Sequence, residues 1–217
     1  MFCSWSGGKD CALALKESVD GGAVPRLLIA MMTEGGTRSR SHGLHREVLE
    51  AQAAAMGIPI RFGSATWAGY EREFQGLVHE AAAAGLTTGV FGDIDIEGHR
   101  EWVERVCLRA GAKPCLPLWQ RDRSLVMEHL SDAGLRAVIV AVRDGVLTSE
   151  LLGRIIDDDV LHELARAGAD LAGENGEYHS VVVDGPGFQR PLDLAVEGRT
   201  LRDGVWFADL RLAVALK

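Results

Sequence analysis

The sequence predicts an α/β fold: a parallel five-stranded sheet followed by a smaller C-terminal α+β lobe. Three observations predict it. Short apolar runs alternate with helical patterns through the first half, a spacing that implies parallel pairing with helices on both faces. A Gly7-Gly8 pair stands between the first strand and the first helix. The second half loses the alternation and closes on a half-buried strand, where Trp206, Ala208, Leu210, Leu212 and Val214 recur every second residue. The domain boundary is expected near Lys113–Pro117, giving domains of 1–115 and 116–217.

The elements follow in order. Phe2–Trp5 is a short strand, and a helix runs from Lys9 to the Gly21-Gly22 stop. Leu27–Met32 is an unbroken apolar run, hence a buried strand. Thr33–Ser41 is a polar, glycine-containing loop that suits a mobile lid. His42–Met56 reads as a helix stopped by Gly57 and Pro59; Ile58–Phe62 is a strand. Tyr70–Ala84 is a helix, Gly89–Phe91 a short strand, and Gly98–Ala110 a helix closed by Gly111. Beyond the boundary, Ser124–Ser131 and Asp157–Arg166 read as helices. Leu135–Val142, Ser180–Asp184, Leu192–Val196 and Val205–Val214 read as strands.

Composition narrows the class. The 217 residues carry 31 acidic and 23 basic side chains, a net charge of −8, which argues against a nucleic-acid partner held by phosphate contacts. The longest apolar runs, Leu27–Met32 and Ala137–Val142, fall far short of the ~20 residues that span a bilayer, so no membrane is expected. No leader pattern is visible at the N-terminus. Four cysteines without a CxxC pair fit a reduced, cytoplasmic protein, with Cys107 and Cys115 read as buried thiols. Arginine outnumbers lysine 19 to 4, so Lys9 stands out.

The densest chemistry is Ser4-Trp5-Ser6-Gly7-Gly8-Lys9-Asp10-Cys11. Adjacent glycines and the free amides of a helix start form an anion site, to which Ser6 adds a hydroxyl and Lys9 a charge. Asp10 either holds Mg²⁺ or caps the helix. The site belongs at the C-terminal ends of the parallel strands, where such sheets bind ligands. The spacing is not that of the Walker P-loop. It resembles SGGKD[ST], the pyrophosphate loop of the N-type ATP pyrophosphatases, with Cys11 replacing the usual hydroxyl residue. That resemblance implies a Rossmann-like nucleotide-binding PP-loop sheet, with ATP cleaved at its α-phosphate.

A second dense segment is Gly173-Glu174-Asn175-Gly176-Glu177-Tyr178-His179-Ser180, running into Asp184-Gly185-Pro186. By residue type alone it is either a carboxylate site beside bound nucleotide or an acidic loop. It resembles the GE[GN]GEYHT…DGP signature of the diphthine–ammonia ligase family, with Ser180 in place of Thr. Gly92-Asp93-Ile94, Arg100–Glu104 with Cys107, Pro117-Leu118-Trp119 and Leu152-Gly153-Arg154 extend the resemblance along the chain. It implies a ligase that adenylates a carboxylate, releases pyrophosphate and amidates the acyl group with ammonium-derived nitrogen. The implied acceptor is diphthine on the translocation elongation factor. Asn175 and the arginine-rich habit resemble bacterial members, and that resemblance implies an acceptor that is another carboxylate or unknown.

On this reading Lys9, Asp10, Glu174 and Glu177 are catalytic. Ser4, Ser6, Gly7, Gly8, Lys9, Asp10, Cys11, Met32, Thr33, Gly92 and Asp93 bind ATP. Arg154, Asn175, Gly176, Tyr178 and His179 bind the acceptor, and Asp10 is the Mg²⁺ ligand. The side chains of Met31 and Met32 are core in either case; the backbone at Met32 and Thr33 is expected to hold adenine. Asp93 is a site residue or an N-cap. Arg38 and Arg40 either clamp an anion or face solvent. His42 and His45 are read as an exposed helix start, Trp102 and Trp119 as packing, and Asp157–Asp159 as acids favoured by a helix dipole. A homodimer is compatible with the sequence. Two rival readings share the loop: a tRNA-modifying thiolase or lysidine-type synthetase, and a nucleotide-sensing module without turnover.

Overall fold

The computed structural model describes residues 1–213, so Val214 of the last expected strand lies outside the described residues. Among the described residues, nine strands form two sheets. The first is parallel, in the order β3-β2-β1-β4-β5: β1 Phe2–Ser4, β2 Leu27–Met32, β3 Ile60–Ser64, β4 Thr88–Val90 and β5 Lys113–Cys115. The second is antiparallel, in the order β7-β6-β9-β8: β6 Arg136–Arg143, β7 Tyr178–Asp184, β8 Leu194–Arg202 and β9 Val205–Leu212. The α/β class and the five-stranded parallel sheet are those expected. The fifth strand falls in the segment read as a boundary. Its Pro114 lacks a ladder donor, which suits an edge position.

Helices cover both faces of the first sheet. α3 (Tyr70–Ala83) and α4 (Glu97–Ala110) pack Phe74, Val78, Val103 and Val106 against Phe2, Ile29 and Met31. α1 (Lys9–Asp20) and α2 (Arg46–Met56) cover the opposite face. The core on that side runs on without a break into the second sheet, joining Leu13 and Leu49 to Ile139, Val140 and Val182. α5 (Arg123–Asp132) and α6 (Asp158–Arg166) complete this layer. Asp157 caps α6 through its carboxylate to the Val160 amide at 3.0 Å, which accounts for the acids opening that helix. β8 and β9 join through Asp203-Gly204, both at positive φ, the two-residue turn that a twisted hairpin favours.

α2 begins at Arg46, not at His42. Gly43, at φ 66°, breaks the helical run, and residues 38–45 double back along β2. Ser39 bridges Met32, and Arg38 bridges His45. The fold of this segment is fixed from the second sheet. Asp209 on β9 accepts from Arg38 at 2.9 Å and lies 2.6 Å from His45 Nε2.

The two sheets meet at the glycine loop. The Gly7 carbonyl accepts from the Val182 amide of β7 at 2.9 Å. Gln52 of α2, wholly buried, donates to the Gly7 carbonyl at 3.0 Å and to the Val182 carbonyl at 2.7 Å. Its own carbonyl accepts from the Trp5 indole at 2.9 Å. Gly7 holds φ 83°, and a Cβ there would fall 2.7 Å from Leu49. Replacing Gln52 with Leu strands the Trp5 indole and the Val182 carbonyl in a dry interior. At ~1–3 kcal/mol per abandoned group, the expected loss is about 2–4 kcal/mol. A urea unfolding curve should show it as a lower midpoint with an unchanged slope.

Candidate active site

A cavity of about 310 Å³ opens at the C-terminal end of the first sheet, between the glycine loop and the 172–180 segment. Ser4, Ser6, Lys9, Asp10 and Cys11 form one wall; Gly92, Asp93 and His99 form another. Glu174 and Gly176, from the turn before β7, and Tyr178, His179 and Ser180, from β7 itself, close it on the far side. Each wall has a local cause. β1 delivers Ser4 and Ser6 at a strand end, α1 starts immediately after, and β4 delivers Asp93 beside it. Gly92 lets β4 come close, since a Cβ there would fall 2.6 Å from the Asp10 carbonyl carbon.

Lys9 is the cavity's buried charge, only 3% exposed. Its Nζ donates to the Asp10 carboxylate at 2.7 and 2.8 Å and to the Ala172 carbonyl, and lies 5.6 Å from the centre of the Tyr178 ring. Burial pulls the ammonium down, but the Asp10 carboxylate, with Tyr178 and Glu174 behind it, outweighs this and holds it above the usual amine range. Lys9 is therefore charged at neutral pH. Its backbone amide donates to Ser180 Oγ at 3.2 Å, tying the loop to β7. α1 has no side-chain cap, so Asp10 serves as the partner of Lys9, not as a helix cap.

Glu174 is the perturbed carboxyl. Burial first, then the nearby Asp10 carboxylate, push it up to about 7, against the pull of Lys9 and Arg123. Tyr178 is raised chiefly by burial, and its hydroxyl donates to the Leu171 carbonyl at 2.6 Å. Asp93 lies 3.2 Å from His99 Nδ1 and holds that imidazole above its ordinary value. Cys11 stays a thiol because burial raises it; its sulfur sits 3.1 Å from the Gly8 carbonyl and 3.3 Å from Ser6 Oγ.

Two family models match almost the whole chain: the diphthamide synthase N-terminal domain over residues 1–114 and the diphthamide synthase C-terminal domain over 122–214. The chain belongs to the diphthamide synthase family. Curated relatives named diphthine–ammonia ligase are similar over part of it. The Danio rerio protein is 31% identical over 105 residues, 46% of this chain and 41% of its own length. The Homo sapiens protein is 31% identical over 94 residues, 42% of this chain and 35% of its own length. The Schizosaccharomyces pombe protein is 33% identical over 98 residues, 44% of this chain and 16% of its own length. The match thus spans well under half the length of each. Among solved structures, a Methanocaldococcus jannaschii chain described as a predicted subunit of tRNA methyltransferase is similar at a TM-score of 0.46. It is 13% identical, over 84% of this chain and 95% of that one.

In this member of the diphthamide synthase family, several expected site residues stand outside the cavity. Glu177 is 6% exposed and turned into the protein, where Oε1 accepts from the Asp170 amide at 3.2 Å and from Asn175 Nδ2 at 3.1 Å. Its Oε2 has no partner. It braces the loop that carries Glu174, because Gly176, at φ 77°, turns the chain between the two carboxylates. Asn175 is exposed and held by Arg123 and Arg143. Arg154 pairs with Glu163 at 2.6 Å and does not line the cavity. Met32 is wholly buried, and the Thr33 amide donates to the Arg38 carbonyl at 2.8 Å, so the backbone expected to hold adenine is occupied by the returning segment. Met31 and Tyr70 line the adjoining recess of about 50 Å³ instead. Gly7 and Gly8 lie beneath the surface of the loop.

Arg38 is taken by Asp209, whereas Arg40 borders the recess, bonded to the Ala65 carbonyl and stacked over Trp67 at 4.8 Å. Trp102 packs on Phe74 at 5.3 Å, and Trp119 lies under Arg100. Cys107 is buried and Cys115 half-buried. His42 is the main residue that sequence reasoning missed: it lines the cavity, where an exposed helix start was expected. The signal was Gly43, which stops the helix from reaching it. His99 was also missed, since nothing in its spacing on α4 marks it.

Glu177 and Arg154 separate by experiment. Arg154→Ala should leave turnover and ligand affinity unchanged. Glu177→Ala should weaken both about tenfold or more by loosening the Glu174 loop, while Glu177→Gln, which keeps the Oε1 contacts, should stay near wild type. Steady-state kinetics on the three variants checks this.

Proposed function

We propose that the chain is an ATP-dependent, AMP-forming ligase that adenylates a carboxylate and amidates it with ammonia in the cytoplasm, the acceptor being diphthine on the translocation elongation factor. The observation that carries this reading is the convergence of the glycine loop, the charged Lys9 and the perturbed Glu174 on one cavity at the strand ends. The acceptor rests on the family and on what its curated relatives are named.

Two displacements make the amide. An acceptor carboxylate oxygen attacks the α-phosphorus of ATP and pyrophosphate leaves. Ammonia then attacks the acyl carbon and AMP leaves with the bonding pair. The acyl-adenylate supplies the leaving group that a free carboxylate lacks. Lys9 and the loop amides stabilise the charge that develops on the phosphate oxygens. Glu174, poised near 7, takes the surplus proton from the attacking nitrogen. Asp10 faces the cavity and is 28% exposed. Mg²⁺ at phosphates uses one or two carboxylates and keeps several waters, so Asp10 suits that role. Such an ion would neutralise phosphate charge. No group of three or more metal-ligating side chains exists among the described residues, which argues against a resident metal centre held by protein alone. No described helix is long and apolar enough to cross a membrane.

The test is α-labelled ATP with ammonium, with and without diphthine-bearing factor. AMP and pyrophosphate formed in step with amide support the ligase. ATP bound without AMP under every acceptor overturns it in favour of a nucleotide sensor. Lys9→Ala should lower AMP formation about 10²–10³-fold, the usual cost of one preorganised charge-stabilising donor. Glu174→Gln should lower amide formation about 10²-fold or more. At saturating ATP and acceptor, wild-type kcat/KM for free ammonia should rise with pH through about 7, because the base form of Glu174 accumulates there. That limb should vanish in Glu174→Gln.

A further inference from the structure

Two imidazoles face the glycine loop, and the mechanism above uses neither. His42 comes from the segment that doubles back after β2, and His179 from the start of β7. Their ring centroids are 4.8 Å apart and their planes 34° apart. Both line the 310 Å³ cavity. His42 also borders the 50 Å³ recess, so it stands where the two spaces join. It rests directly on the loop: a Cβ on Gly8 would fall 2.6 Å from His42 Cε1 and 3.3 Å from Nδ1.

His42 Nδ1 is buried and has no hydrogen-bond partner. A buried imidazole nitrogen left unpaired costs free energy, and a ligand atom or a water entering from the cavity would restore the missing bond. The fold takes trouble to keep it there. Asp209 of β9 holds His45 and Arg38 on either side of the turn that carries His42. Apolar packing alone would not require an imidazole against the phosphate loop.

The charged groups around the pair decide what that ligand is. Lys9 of α1 faces both rings, Arg143 of β6 acts on His179, and Asp10 of α1 opposes them there; the Ser6 backbone adjoins His42. Burial, the neighbouring ring and Lys9 hold His42 well below its ordinary value, and burial, Lys9 and Arg143 lower His179. The rings are thus neutral beside a cation. A cation as ligand would meet Lys9. An anion would relieve the repulsion and invite a proton onto a ring.

We propose that His42 and His179 form a second phosphate-contacting pair against the glycine loop, one ring taking up a proton as a polyphosphate enters. The inference rests on the ATP reading above and deepens it. The proton comes from solvent on binding and returns when pyrophosphate leaves. The pair thus makes nucleotide affinity fall as pH rises, opposite in sign to the Glu174 limb. Ammonia attack and polyphosphate binding then favour different ends of the neutral range.

Titration calorimetry with Mg²⁺ and α,β-methylene ATP, which resists cleavage at the reacting bond, tests this. At pH 7.0, in buffers of different ionisation enthalpy, the heats give the protons taken up per nucleotide. The nucleotide's own protonation is common to every variant, so the difference between proteins isolates the pair. Wild type should take up more protons than His42→Gln and His179→Gln, and should bind about fivefold or more tighter than either. Equal proton counts in all three, with binding intact, overturn the pair and leave the ATP reading standing. No binding to wild type overturns the ATP reading itself. If a variant unfolds, the Cε1–H resonances of the wild-type imidazoles serve instead. An imidazole whose titration moves to higher pH on adding the analogue supports the pair; titrations unmoved by the analogue overturn it.

Discussion

The structure depends on one stitch: the Gly7 carbonyl bonded to the Val182 amide and shared with the Gln52 amide. Gln52 uses both of its N–H donors there, on two carbonyls, and one lone pair of its oxygen, on the Trp5 indole. That single buried side chain joins α2, the glycine loop and β7. A loop built of glycines has little side-chain packing to hold it, so its shape is imposed from outside. The second sheet therefore completes the glycine loop, and it also supplies part of the cavity's far wall. Neither sheet alone encloses the site.

Fixing the loop this way explains the electrostatics. Because β7 is locked to the loop, Tyr178, His179 and Ser180 arrive in a set order along Lys9. Burying a lysine is costly without a partner, and Asp10 supplies one with both carboxylate oxygens. The same enclosure raises Glu174, which shares the Asp10 field. One geometric constraint thus produces a charged amine and a poised carboxyl within one small volume.

The alternation of apolar runs and helical patterns made the parallel sheet legible, because period and length are local properties of the chain. The glycine loop was legible for the same reason: its residues are contiguous. What sequence could not show was direction. Glu174 and Glu177 look equivalent in GENGE, yet the turn at Gly176 sends one into the cavity and buries the other. β5 was hidden by Pro114 and by its three-residue length. His42 was hidden by its nearness to a helical pattern, and only its long-range tie through Asp209 turns the segment inward. Arg154 looked available because its partner, Glu163, lies nine residues on, one turn along a helix that sequence does not orient.

The Lys9–Asp10 pair gives the proposed chemistry its resting state. The Asp10 carboxylate occupies two hydrogen bonds on Nζ that a phosphate oxygen would otherwise take. On the proposed reading, entry of a polyphosphate would exchange one anion for another at Lys9 and would avoid creating a new buried charge pair. That exchange would free Asp10, whose carboxylate faces the cavity and would be available to a metal counterion. A loop lysine without such a neighbour would sit buried and unpaired, and its charge would fade by deprotonation. The acid following the lysine thus preserves the charge on which the proposed phosphate stabilisation would rely, and this is the physical sense of a Lys-Asp pair at the start of α1.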